Sequence, residues 1–220
     1  MNKNKYNIIA LDGAAGSGKS TTAQAVCEKY NYIHVDTGLH YRAVSLHLIN
    51  LNITPECTPK YIHSSPLFFS SKQVGFSVQL LIDGIHYSKT ALRNERMNRE
   101  VSYYARIPEV RNLLLNYQRS LPDFGKHSGY SGIIMDGRDI GSVILPDADI
   151  KIFLHADLDV RQNRRLSDGE LDSISARDQI DSTRKIAPLA CPEDAISIDT
   201  GKLSLDKVIQ LISNKIDSLS

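Results

Sequence analysis

The chain has 220 residues and sets 26 Lys and Arg against 25 Asp and Glu, for a formal net charge of +1. That length can bury a full core in one domain with an insertion, and the even charge argues against a nucleic-acid footprint. No run approaches the roughly 20 apolar residues of a membrane span, and the three cysteines, Cys27, Cys57 and Cys191, form neither a CxxC pair nor a disulfide framework.

The first apolar run, residues 7–11, suits a buried strand, and no apolar signal core follows the lysines ahead of it. A cytoplasmic protein with no membrane or nucleic-acid partner is therefore expected. The stretch LDGAAGSGKST comes next, with Gly13, Gly18, Lys19 and Ser20 in the spacing G-x-x-x-x-G-K-S. Residues 21–30 then place Ala23, Val26 and Cys27 at helical spacing. Strand, glycine loop and helix make a phosphate cradle. Glycine lets the backbone approach an anion closely, and successive N–H groups at a helix N-terminus attract negative charge. Gly13, Ala14, Ala15, Gly16, Ser17, Gly18, Lys19, Ser20 and Thr21 are the residues expected to bind a nucleoside triphosphate. Lys19 supplies charge for the β- and γ-phosphates, and Ser20 a hydroxyl for Mg²⁺.

Further strands are expected at residues 32–35, 132–135, 150–154 and 195–198, and a final helix at 204–216 with Leu205, Val208, Ile209, Ile212 and Ile216 on one face. Strands alternating with helices predict an α/β fold: a five-stranded parallel sheet flanked by helices, with ligands beyond the carboxyl ends of the strands. Asp12, Asp36 and Asp136 fall on that rim, and Asp136 is expected to reach Mg²⁺ through water. Between the second and third strands, Val74, Phe76 and Val78 alternate and Asp83-Gly84 is a hairpin signal, which predicts a small antiparallel insertion. Beyond it, residues 98–121 read as helix broken near Pro108. The expected layout is a single domain: core at about 1–44, 131–160 and 186–220, insertion at about 45–130, and a lid at about 161–185.

Arginines gather after successive strands, in DTGLHYR (36–42), DGRD (136–139), RQNRR (161–165) and RDQIDSTR (177–184). The planar guanidinium suits phosphate. So much positive charge beside a phosphate loop fits two phosphate-bearing ligands, and hence transfer between them rather than hydrolysis.

These stretches, with DGRDIGSVILPDADIKIFL, RDQIDSTRKIAPL and DAISIDT, resemble the bacterial cytidylate kinases, nucleoside monophosphate kinases of the P-loop class, in order and over nearly the whole chain. The resemblance implies phosphorylation of CMP and dCMP by Mg·ATP, with nucleotides as the only partners and a monomeric enzyme. It implies that Thr37, Tyr41, Arg42 and Arg138 hold the monophosphate, with Arg93 also facing the substrate. It implies that Ser102, Arg111 and Asp139 read the cytosine, and that Arg177 and Asp181 contact the sugar. Lys19, Arg138, Arg164 and Arg184 are the expected catalytic set, Arg164 also binding ATP and Arg164 or Arg165 joining Arg184 at the transferring phosphoryl. The chain departs from the family in a shorter lid and in Thr37, where serine is common; no lid cysteine cluster for zinc is present. Another acceptor, such as UMP, AMP or a non-nucleotide, and a non-transferring ATPase or switch are the alternatives.

Overall fold

The computed structural model describes residues 5–167, 174–183 and 186–219. Strand β1 (Asn7–Gly13) leads into helix α1 (Lys19–Tyr30), then β2 (Tyr32–Asp36) and α2 (Thr37–Asn50). The insertion contributes α3 (Thr58–Ser64), the strands β3 (Phe69–Val74), β4 (Ser77–Ile82) and β5 (Ile85–His86), and helices α4 (Lys89–Leu92), α5 (Glu95–Ala105) and α6 (Pro108–His127). Strand β6 (Gly132–Gly137) runs into a π-helical turn (Ile140–Ile144). The chain continues through β7 (Ile150–His155), α7 (Leu158–Ser167), α8 (Ile174–Thr183), β8 (Ile196–Asp199) and α9 (Leu205–Asp217).

The five expected strands form the parallel part of the sheet, in the order β2-β6-β1-β7-β8. Alternation along each strand feeds two cores. Ile9 and Leu11 face Ala23, Val26 and Cys27 of α1 and Val208, Ile212 and Ile216 of α9. Ala10, Ile33, Val35, Ile133 and Met135 face Leu121 of α6 and the π-turn's Ile140 and Ile144. A third core lies between α2 and the insertion, built from Tyr41, Val44, Leu48, Leu80, Ile82, Val101, Tyr104, Val110 and Leu114.

The insertion differs from its expected form. It does not make a sheet of its own: β4 lies beside β2 and extends the central sheet, with β3 and β5 antiparallel to β4. The seam is short. His34 pairs with Ser77, and the His34 amide donates to the Phe76 carbonyl at 2.6 Å. The break near Pro108 is a helix boundary: α5 ends at Ala105, and Pro108 opens α6 at the first helical turn, where its missing N–H costs nothing.

Candidate active site

The parallel register brings the rim together. Asp36 and Asp136 are paired across β2 and β6, and Asp12 stands beside Gly137. The three carboxylates have separate tasks. Asp12 is buried and accepts the amides of Ile140 and Gly141, each at 2.7 Å, which pins the turn that follows DGRD. Burial raises its pKa to about 6, although those two amides favour the charged form. Asp36 caps α2 through the Leu39 amide at 3.1 Å and binds Arg93 Nη2 at 2.8 Å. Asp136 accepts the Ser20 hydroxyl at 2.9 Å on one oxygen and meets His34 Nε2 at 3.1 Å on the other.

The glycine loop closes tightly. Gly16 has φ +73°, and a Cβ there would stand 2.7 Å from the Arg161 carbonyl. A Cβ on Gly13 would meet the Leu154 carbonyl at 2.2 Å. Lys19 bends back to the Gly13 and Ala14 carbonyls, both at 2.8 Å. Burial and the nearby Arg138 lower its pKa to about 7. For the His34–Asp136 pair, burial opposes charge on both, yet each favours the other's charged form. The His34 pKa is raised and the Asp136 pKa lowered, the latter also by Lys19 and Ser20.

A cleft of about 230 Å³ runs from this loop to the insertion. Ala15 to Thr21 line one end; Thr37, Tyr41, Arg42, Arg93, Ser102, Arg138, Asp139 and Asp181 line the rest, with Asp36 and Asp136 between. Arg42 donates to the Leu92 carbonyl at 2.8 Å, and Thr37 to the Asp136 carbonyl at 2.8 Å. Arg138 bridges the Gly13 carbonyl at 2.9 Å and Asp181 at 3.0 Å, tying the loop to α8.

Two expected residues are not among the cleft's described lining, although Arg164 packs against the loop at the Gly16 carbonyl, 3.4 Å away. Arg111 is buried behind Asp139, bonded to that carboxylate and to the Ala105 carbonyl, with its guanidinium 5.2 Å from the Tyr41 ring. It orients Asp139, and is not among the cleft's described lining residues. Arg164 donates to the Thr200 carbonyl at 2.7 Å and the Thr200 hydroxyl at 3.0 Å, while Arg165 lines the cleft. Arg184 and the side chain of Arg177 lie outside the described residues.

Sequence reasoning passed over three supports. Arg161 bonds the Ala15 carbonyl at 3.1 Å, the Ala156 carbonyl at 2.9 Å and Asp178, so it braces the loop from α7. Thr200 donates to the Ser17 carbonyl at 3.1 Å. His34 reads in sequence as an interior strand residue, and only the sheet register puts it against Asp136. The RQNRR cluster pointed to Arg161; neither Thr200 nor His34 had a local signal.

Ser20 and Asp136 offer two oxygen donors 2.9 Å apart beside the loop. This is the hard donor set that Mg²⁺ takes, completed by substrate phosphates and water.

Residues 9–218 match the family model described as cytidylate kinase. A cytidylate kinase of Exiguobacterium is 38% identical over 96% of both chains, and one of Fusobacterium nucleatum 37% identical over 96% of this chain and 98% of its own. Among solved structures, an uncharacterised protein from Eubacterium ventriosum shares the fold at a TM-score of 0.52, with 19% identity, over 97% of this chain and 99% of that one.

Proposed function

The chain belongs to the cytidylate kinase family, and on that premise we propose how its residues divide an ATP-dependent phosphorylation of CMP. The triphosphate sits on the loop amides of residues 13–21, with Lys19 turning from its own carbonyls to the β- and γ-phosphates. Ser20 and Asp136 hold Mg²⁺, which when bound neutralises developing phosphate charge. The monophosphate lies under Arg42, Arg93 and Arg138, with Thr37 and Tyr41 closing round it. Asp139 accepts from the cytosine amino group, and Ser102 stands beside it; Arg111 fixes the carboxylate from behind. An α-phosphate oxygen of CMP attacks the γ-phosphorus in line; the new O–P bond forms as the β,γ-bridging bond breaks, and ADP leaves. No general base is needed, because the acceptor is already an anion. Arg165 and Arg184 neutralise the transferring group from the lid side, and Asp181 with Arg177 takes the sugar. The same arrangement accommodates dCMP.

One observation carries this reading: the phosphate loop and a buried, arginine-bound carboxylate open into the same cleft. A sugar or acid acceptor has no use for that carboxylate, and a switch has none for three arginines at the acceptor end. The test is ADP release from Mg·ATP with CMP, dCMP, UMP, AMP or GMP, and without acceptor. Turnover is expected to be fastest with CMP and dCMP and absent without acceptor. Uracil puts a carbonyl against Asp139, and a buried unpaired polar group costs roughly 1–3 kcal/mol, so UMP should lag by about ten- to a hundred-fold. Equal turnover on UMP would remove the base-reading role from Asp139, and acceptor-independent release would overturn the transferase reading.

A further inference from the structure

A second cavity, of about 320 Å³, adjoins the cleft. The two share Ser20, Thr21, Asp36, Leu39 and Arg93 as a common wall. The second cavity's other surfaces come from Gln24 of α1, His34 of β2, and residues of α2, β4 and the segment from β5 to α4. Its floor is apolar, with Leu39 and Ala43 from α2 and Val78 and Leu80 from β4.

The polar groups set in this frame are unevenly satisfied. Asp36 is spent on the Leu39 amide and Arg93. Lys89, which lines the other end, pairs with no carboxylate among the described residues. The unspent charge of the lining is therefore positive. His40 lies in the floor, 1% exposed, and neither ring nitrogen has a hydrogen-bond partner. Tyr117 meets its ring edge to face at 5.4 Å, but that phenol oxygen is bonded to the Ser71 hydroxyl at 2.9 Å. Burial lowers the His40 pKa to about 4, so near neutral pH the imidazole offers one donor and one acceptor. Buried polar atoms are normally paired, and an apolar cavity with a few convergent polar groups is the usual form of a small-molecule site.

We propose that this second cavity binds a small organic anion with a flat, hydrogen-bonding body: the charged end at Lys89 and Arg93, the body on Leu39, Ala43, Val78 and Leu80, and a polar edge at His40. An occupant competes with Asp36 for Arg93 and draws that guanidinium away from the cleft, so it raises the KM for CMP. This effect on rate rests on Arg93 being a monophosphate ligand; the binding does not.

Benzoate and phenyl phosphate serve as probes for a carboxylate and a phosphate ester, titrated by protein NMR into full-length enzyme saturated with Mg·ADP, with CMP and without it. Saturable binding is expected with Mg·ADP bound, at least tenfold weaker in both Lys89→Glu and His40→Leu. Lys89→Glu, an exposed change, keeps its kcat without probe and guards against a folding failure in His40→Leu. The tighter probe identifies the head group. No saturable binding when Mg·ADP alone is present and CMP is omitted, or equal binding by all three proteins, would overturn the site; a probe weakened by CMP is the reciprocal of the proposed effect on KM. Binding without a change in the KM for CMP would uphold the site and count against Arg93 as a monophosphate ligand.

Discussion

Lys19 carries its ammonium among the carbonyls of its own loop, and its pKa of about 7 makes its charge conditional. The unfolded lysine keeps its proton to about pH 10. Between about pH 7 and 10 the unfolded chain thus holds a proton that the folded chain lacks, and this group makes the nucleotide-free protein more stable as pH rises. A triphosphate favours the ammonium and reverses the shift. Mg·ATP binding at pH 8 should therefore take up a proton, less so at pH 6. Calorimetry in two buffers of different ionisation enthalpy measures that uptake, and Lys19→Met should abolish it. Lys19→Ala should lower kcat by roughly a hundred- to a thousand-fold, the usual cost of one contact to developing charge. Asp139 is coupled more tightly still. Its removal leaves Arg111 charged and buried without its carboxylate, a loss of about 3–5 kcal/mol where one partner of a buried pair is deleted. Asp139→Ala should lose that much in urea unfolding and also raise the KM for CMP far more than that for ATP; an Arg111→Met, Asp139→Leu double change should restore stability but not CMP turnover.

At the scale of elements, the loop depends on α7 and on the turn after β8 as much as on its glycines. Arg161 ties α7 to Ala15, and Thr200 ties the post-β8 turn to Ser17. Deleting a brace leaves every phosphate ligand in place but frees the loop to move, and misplacement of about 1 Å can cost a hundred-fold. Arg161→Ala should reduce kcat/KM for ATP by roughly ten- to a hundred-fold while CMP binding, measured without ATP, stays near normal. The same braces show where the sequence stops being readable. The glycine loop, the five strands and the rim carboxylates were legible, because each follows from local spacing or from the ends of strands. The roles of Arg111, Arg164 and His34 depend on register and on helix packing across more than 25 residues. The expected roles of Arg111 and Arg164 came from the resemblance, and packing sets one behind Asp139 and the other behind the loop. Arg184 stays a matter of sequence alone.

In the whole molecule, the insertion's strands are paired to the sheet at one short seam, and the insertion packs on the rest through Leu121 and Val78 and through the core it shares with α2. The β1–β6 and β1–β7 ladders are longer and sandwiched between two other cores. β3 and β4 pair along their length with each other but meet the sheet at a single paired position, so the hairpin can open from the sheet as a unit. Amide hydrogen exchange should therefore be faster by about tenfold or more in β3, β4 and β5 than in β1, β6 and β7, and CMP should slow it in the insertion more than in the central strands. Mass spectrometry of proteolytic fragments checks this, and uniform exchange across the sheet would contradict it. The strand order carries one more consequence. Asn7 of β1 finds its first ladder partner at Gly132, 125 positions later. At roughly 5–20 residues per second, a growing chain spends roughly 6–25 s making that stretch. Through those seconds the phosphate loop has been synthesised but its strand has no neighbour. The apolar cluster of α2, β4, α5 and α6 lies wholly within the intervening stretch and is complete before Gly132 is added. The residues of that cluster are thus all in the chain before β1 gains its first ladder partner.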